Sequence, residues 1–380
     1  MTYLTAQSGW VPTGIRKVLY LNWSLAILIT AVASVGFLML YSVADGRLNT
    51  WALPQIIRFG IGFAAMIIIG LINIHFWRGI APVAYLVSLI LLVAVEFVGV
   101  TGMGAQRWID LGVLRLQPSE VMKIALVMVL ALYYDWLDPR KVSHPFWLLT
   151  PLALTAIPVL LVLKQPDLGT AILLAGSAAV VMFLAGVSMW YFIAGGLTVV
   201  AMVVAVLETR GTSMQLLEDY QYRRIETFLD PSKDPLGSGY HITQSKIALG
   251  SGGLNGRGFM DGTQTRLNFL PEKHTDFIFT TLAEELGFVG SVTLLTLYTL
   301  VVIFCTISMM SNTNRFGALL TGGIAATFFF FFAVNMAMVM GLAPVVGVPL
   351  PLVSYGGSAM LVLMGAFGLV QSAHVHRPRQ

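Results

Sequence analysis

LNFLPEKHTDFIFTTLAEELG, residues 267–287, is a charged stretch that runs straight into an apolar run of membrane length. His274, Thr275 and Asp276 lie at the seam. Phe277, Ile278 and Phe279 follow, and then two more carboxylates, Glu284 and Glu285. Apolar neighbours of this kind bury a carboxylate in part, and burial raises its pKa toward the range useful for a base. A helix from Asp276 to Met309 would be roughly 51 Å long at 1.5 Å per residue, against a hydrocarbon core of about 30 Å. It cannot all cross a membrane. The expected solution puts 276–286 at the outer interface, breaks the helix at Gly287 and leaves Asp276 at headgroup depth.

Composition agrees with a membrane setting. Hydrophobic residues make up 57% of the chain and charged residues 11%, against roughly 25% charged in soluble domains. The reading is an all-α polytopic membrane protein. Cys305 is the single cysteine and lies in an apolar run, which excludes a disulfide framework and a cysteine metal site. The formal net charge of +4 comes from scattered basic residues, so no nucleic-acid partner is expected. Residues 1–15 are polar, and Arg16 and Lys17 precede an apolar run too long for a signal-peptide core.

Apolar runs of spanning length fall at about 19–41, 54–74, 79–100, 119–134, 146–163, 169–186, 190–207, 287–309, 315–341 and 352–373. That gives about ten helices, with a tight turn at Gly186-Val187-Ser188. Both termini then share a side. That side collects Arg16, Lys17, Arg78, Arg140, Lys141, Arg315, Arg377 and Arg379, while the opposite short loops hold Arg47, Arg58, Arg107, Arg115 and Lys164. The bias puts both termini in the cytoplasm of a bacterial cell, in the inner membrane. Residues 208–286, between spans seven and eight, become a large extracytoplasmic loop within a single membrane domain covering 1–380. His241 to Leu249 reads as a short helix stopped by Gly250–Gly253, in segments expected to lie on the membrane surface. The Gly-rich run to Gly258 lacks the Gly-Lys-Ser/Thr ending of a nucleotide loop, so ATP binding is excluded.

Three further places put charge or irregular backbone beside spans. The first runs from Gln106-Arg107-Trp108 to Gln117-Pro118-Ser119-Glu120 and Lys123, with Ser119 as expected helix cap and Glu120 and Lys123 on one helix face. The second is Lys164-Gln165-Pro166-Asp167. The third is PVVGVPLPLVSYGG, residues 344–357, whose prolines and glycines forbid a regular helix, so its backbone is buried in protein or lines a wet cavity. Taken singly, each has a plain structural explanation: an ion pair between helices, a solvated loop, a kink, a carboxylate favoured at a helix start. Their convergence on one face implies a shared polar cavity. His241 and His274 lack metal-ligand spacing.

The motifs FLDPSKDPLGSGYHITQSKIALGSGGLNGRG, LNFLPEKHTDFIF, QRWIDLG, QPSEVMK, QPDLGT and PVVGVPLPLVSYGGSA together resemble the SEDS family of shape, elongation, division and sporulation proteins. The resemblance runs from the first span to Arg377. KHTDFIF and GYHITQSKIA are closer to its elongation branch, the RodA type, than to its division branch, the FtsW type. It implies a peptidoglycan glycosyltransferase that polymerises lipid II during elongation and maintenance of rod shape, working with a class B penicillin-binding protein. It places the essential carboxylate on Asp276 and cavity residues on Glu120, Lys123 and Asp167, with Arg107 and the segment bearing Ser354 and Gly356 in matching motifs. His274 is expected to orient structure or substrate.

The chemistry fits that implication. Joining a sugar 4-hydroxyl to an anomeric carbon needs a base, and Asp276 is the candidate. The departing lipid diphosphate needs positive charge. Lys123, Arg107, Lys164 or Arg223 can supply it, as can a divalent cation, Mg or Mn, on Glu120 or Asp167. No dedicated metal cage is visible. Partners expected are the penicillin-binding transpeptidase and, inside, the elongation machinery with its actin-like filament. The alternatives are a lipid II flippase and a non-catalytic scaffold for the transpeptidase.

Overall fold

The computed structural model describes residues 12–378 apart from 103–104, 111, 113–114, 210–221, 223–225, 231–233, 235–236, 268 and 271. Arg223 and Arg379 lie outside the described residues. Within them the chain forms α1 (Trp23–Val43), α2 (Ala52–Leu71), α3 (Ile74–Val98), α4 (Pro118–Trp136), α5 (Pro145–Lys164), α6 (Leu168–Ala185) and α7 (Met189–Glu208). Then come α8 (Ser238–Ser251), the single turn α9 (Thr263–Arg266), α10 (Ile278–Met310), α11 (Arg315–Val339) and α12 (Gly357–Val375). Among the described residues nine of these helices are long and apolar enough to cross a membrane. The tenth expected span, α4, is of similar length but carries Glu120, Lys123 and Asp135. The chain is an all-α polytopic membrane protein.

Burial sorts the helices. Of the most apolar part of α12, 72% of residues are buried, and 67% for α11, against 6% for α7. Together with α4, whose Met122–Ala131 stretch is almost wholly enclosed, α11 and α12 form the centre and α7 the rim. A helix interior that tolerates Glu120 and Lys123 has to be surrounded by protein, because an unpaired charge facing lipid is costly.

Local chemistry sets the boundaries. Asp167 caps α6, accepting from the Thr170 backbone N–H at 3.1 Å and from its hydroxyl at 2.9 Å. Gly186 ends α6 in the left-handed region, φ 100°, and gives the tight turn expected there. Ser119 is not the cap of α4. Gln117 occupies that position without a side-chain bond, and Pro118 follows at the first helical residue, where its fixed φ fits and its missing N–H costs nothing.

The helix α10 breaks where its length required. Gly287 has φ 65° and ψ −159° within an otherwise helical run. Such a break frees backbone groups that have to be satisfied inside a bilayer. The Gly-rich turn after α8 satisfies them. Arg257 and Gly258 donate their N–H groups to the Glu284 and Glu285 carbonyls at 3.0 and 3.1 Å. Phe288 and Val289 donate to the Gly253 and Leu254 carbonyls at 2.9 and 3.1 Å. The approach needs glycine: a Cβ on Gly256 would lie 2.0 Å from the Glu285 carbonyl oxygen.

Protein covers one face of the loop helix α8. Its Ile242, Ser245 and Ala248 share one small-residue face that is fully enclosed, and Ser245 Oγ donates to the Val339 carbonyl at 2.8 Å. Residues Ile278 through Glu285 are all buried in protein. Small side chains let helices approach closely enough to do this. A three-stranded ribbon, β1 (Val100–Gly102), β2 (Ala105–Asp110) and β3 (Arg115–Leu116), joins α3 to α4 in antiparallel order.

Candidate functional site

Asp276 is the second residue before α10 and is held through its neighbours. The 344–357 segment, which is not helical, folds over it. Ser354 Oγ donates to the Thr275 carbonyl at 2.6 Å and accepts from the Leu350 N–H at 2.8 Å. Tyr355 N–H donates to the His274 carbonyl at 2.9 Å. From α11, Asn335 Nδ2 donates to the Asp276 carbonyl at 2.8 Å and to the Val348 carbonyl at 2.7 Å. From α2, Gln55 Nε2 donates to the Ser354 carbonyl at 3.0 Å, and the Gly356 N–H reaches Gln55 Oε1 at 3.4 Å. Three successive backbone carbonyls, those of His274, Thr275 and Asp276, are thus pinned by residues from elsewhere.

The Asp276 carboxylate itself is left available. Among the described residues no donor hydrogen bonds it. The α-carbon of Gly347 faces it, since a Cβ there would be 3.6 Å from Oδ2. Burial pushes its pKa up to about 6, helped by the negative charges of Glu272 and Asp167. A carboxylate lacking donors and surrounded by like charge holds a proton more tightly. Asp167 is therefore near enough for its charge to act on Asp276. A Cβ on Gly169 would meet the Val346 carbonyl at 2.9 Å, so the start of α6 packs directly on the 346–348 segment.

Glu120 and Lys123 form a buried ion pair at 2.7 Å, one helical turn apart on α4. The Lys123 ammonium also lies 3.8 Å from the centre of the Phe331 ring, and Phe331 packs against Val346 and Val348. The pair therefore reaches the 346–348 segment through Phe331. Arg107, on β2, donates from Nε to the Gln165 carbonyl at 3.0 Å and from a terminal nitrogen to the Pro166 carbonyl. Its remaining nitrogen sits 3.9 Å from Asp167. Arg107 braces the α5–α6 turn. Lys164 is apart from this group, in an exposed ion pair with Glu96 at 2.9 Å. His274 stacks on Trp51 with ring centres 4.3 Å apart, and burial lowers its pKa below the ordinary histidine value.

Several residues here escape a reading of the sequence. Asn335 and Gln55 are single amides inside apolar runs, with no motif around them. Arg58 lies in α2 with its guanidinium 4.8 Å over the Tyr355 ring, and Tyr355 in turn packs edge-on against Trp51. Its position, a lone arginine seven residues into a span, is the signal that could have marked it.

Glu120 faces Lys123, and both Asp167 oxygens have protein donors. Among the described residues no three His, Cys, Asp or Glu side chains converge as metal ligands.

Comparison with known proteins places the chain. The model of the cell cycle protein family FtsW/RodA/SpoVE matches residues 16–379. The peptidoglycan glycosyltransferase MrdB of Escherichia coli strain K12 is 44% identical over 360 residues, 94% of each chain. Among solved structures, a chain from a peptidoglycan synthase complex that coordinates polymerisation with crosslinking matches with TM-score 0.80 and 31% identity. The match covers 93% of this chain and 97% of that one. The rod shape determining protein RodA of Thermus thermophilus matches with TM-score 0.71 and 28% identity, over 95% and 98% of the two chains.

Proposed function

The chain belongs to the FtsW/RodA/SpoVE family and is a peptidoglycan glycosyltransferase; on that premise we propose that it polymerises lipid II with Asp276 as general base. The observation that carries the assignment is the pinned backbone beneath an unbonded carboxylate. A base must be both positioned and free to take a proton, and a pKa near the working pH serves proton transfer.

In the proposed step the acceptor sugar's 4-hydroxyl approaches the anomeric carbon of the donor. Its proton passes to the Asp276 carboxylate as the oxygen–carbon bond forms. The bond from that carbon to the lipid diphosphate breaks, and the diphosphate leaves with the electron pair. Attack comes from the face opposite the leaving group, by analogy with inverting glycosidases. Positive charge for the departing group falls to Arg58, which has no carboxylate partner among the described residues; Lys123, paired with Glu120, supports the cavity from behind. Arg107 and Asp167 shape the cavity wall. His274, Ser354 and Gly356 hold the Asp276 segment. Lys164 has the weakest support, since its ion pair with Glu96 is exposed.

The setting follows the charge distribution: a bacterial inner membrane, both termini cytoplasmic, and the 208–286 loop outside with Asp276. The likeness to a chain of a synthase complex supports a class B penicillin-binding partner, and the basic cytoplasmic loops are the surface for the actin-like elongation machinery.

The test is strand synthesis from labelled lipid II by the purified protein with its transpeptidase, comparing wild type, Asp276→Asn and Arg58→Gln. Wild type makes long strands; Asp276→Asn makes none while still binding the partner. Normal polymerisation by Asp276→Asn would remove the base assignment. A wild type without polymerase activity that translocates lipid II in liposomes would make the protein a flippase.

A further inference from the structure

The ends of α2 and α12 remote from Asp276 enclose a second polar feature. The turn Gly14–Tyr20 that precedes α1, the start of α3 and the last residues of α12 surround a cavity of about 360 Å³. Lys17, His75 and His376 line it, together with Thr13 and Asn73, and among the described residues no carboxylate does.

The donors in this cavity are arranged for an anion. Lys17 Nζ donates to the Leu71 carbonyl at 3.1 Å, using one of its three hydrogens. His376 is only 7% exposed. Its Nδ1 lies 2.9 Å from the Ser372 carbonyl, so that nitrogen carries the hydrogen; Nε2 has no partner and becomes a donor only when the ring is protonated. Burial lowers the His376 pKa, the Ser372 carbonyl opposes this, and the charges of Lys17 and His75 lower it further. An anion beside Lys17 would offset the charges that oppose protonation of His376 and so turn Nε2 into a second donor. Basic pockets between the ends of membrane helices are the usual receptors for phosphorylated headgroups. Near it in sequence, Leu19 is 76% exposed and Phe76 53%. An acyl chain has a surface to lie on there, which a free phosphate ion does not need.

We propose that this cavity binds a phosphodiester anion, the headgroup of an anionic lipid in the leaflet opposite Asp276, with Lys17, His75 and His376 around the phosphate.

The test uses the full chain in a neutral detergent and follows thermal unfolding. It is titrated separately with short-chain phosphatidylglycerol, short-chain phosphatidylcholine and inorganic phosphate. Wild type is expected to gain thermal stability with phosphatidylglycerol and not with phosphatidylcholine, in a salt-sensitive manner. Lys17→Met should weaken the apparent affinity about fivefold. Because Lys17 also caps α2, His75→Glu is the second variant; His75 is exposed, and the introduced charge should abolish the effect without disturbing packing. An equal gain with inorganic phosphate supports the anion site and makes a soluble phosphate its occupant. Equal responses to the two lipids, or a His75→Glu protein that responds as wild type does, overturn the proposal.

Discussion

At the residue scale the decisive group is Asp276, with its pKa raised to about 6 by burial and by neighbouring negative charge. If it is the base, kcat should rise with pH through about 6 and level off above it. Asp276→Asn should lower polymerisation by two to four orders of magnitude, roughly the share general-base catalysis supplies. The stability effect runs the other way. A carboxyl whose folded pKa is raised contributes favourably below its unfolded pKa near 4, and that contribution is lost as pH rises through about 6. At neutral pH the wild type therefore bears a penalty on the order of 2 kcal/mol that the asparagine variant lacks. Thermal unfolding at pH 7 should find Asp276→Asn at least as stable as wild type. Glu120 and Lys123 behave differently, because each neutralises the other in a buried setting. Glu120→Gln should lower stability by about 3 kcal/mol or more, while Glu120→Gln with Lys123→Met should recover most of it. If the pair also serves the reaction, the double variant folds and stays inactive. The residues at the seam were legible in the sequence because charge beside apolar runs is rare. Asn335, Gln55 and Arg58 were not singled out, because an amide or a lone cation in a span announces nothing until its partner, some hundreds of residues away for Gln55, is in place.

At the element scale the 344–357 segment and α11 act as a clamp on the residues before α10. Asn335→Ala removes both bonds from Nδ2 and frees the Asp276 carbonyl. A displacement of about 1 Å at a reacting group costs on the order of 100-fold in rate. The expected result is a fall in kcat of that order, with KM little changed and the pH midpoint retained, since the carboxylate's own surroundings stay in place. Loss through unfolding alone would lower both the folded fraction and the apparent enzyme concentration, leaving turnover per folded molecule constant. The break at Gly287 followed from arithmetic on helix length and needed no structure. Its repair did not. Nothing in GSGGLNGRG by itself says that four of its backbone groups are the partners of Glu284, Glu285, Phe288 and Val289. For the same reason the covered face of the loop helix α8 was not foreseen: it is made of Ile242, Ser245 and Ala248, too small and mixed to read as a core stripe.

At the scale of the whole molecule the helices form a polarised body, with the candidate reaction centre at one end and the basic cavity at the other. The span pattern was legible to within a few residues at most boundaries, because a bilayer imposes its length on every helix. The three-stranded ribbon was not, since its strands are shorter than any periodic signal. Orientation is open to direct measurement. Cys305 is buried, so introduced cysteines report without background. A membrane-impermeant maleimide should label Leu254→Cys in intact cells stripped of outer membrane, and should label Arg140→Cys only after lysis. Reversed labelling would invert the topology and with it the side on which strands are made. The clamp has a last consequence for how the protein is born. Thr275 is gripped by Ser354, 79 residues further along the chain. A ribosome that has delivered Asp276 to the membrane has not yet made its holder, so a stalled or prematurely terminated chain displays the carboxylate without the grip that aims it. If Asp276 is the base, incomplete products stay inactive until the 344–356 segment has been made and folded onto it.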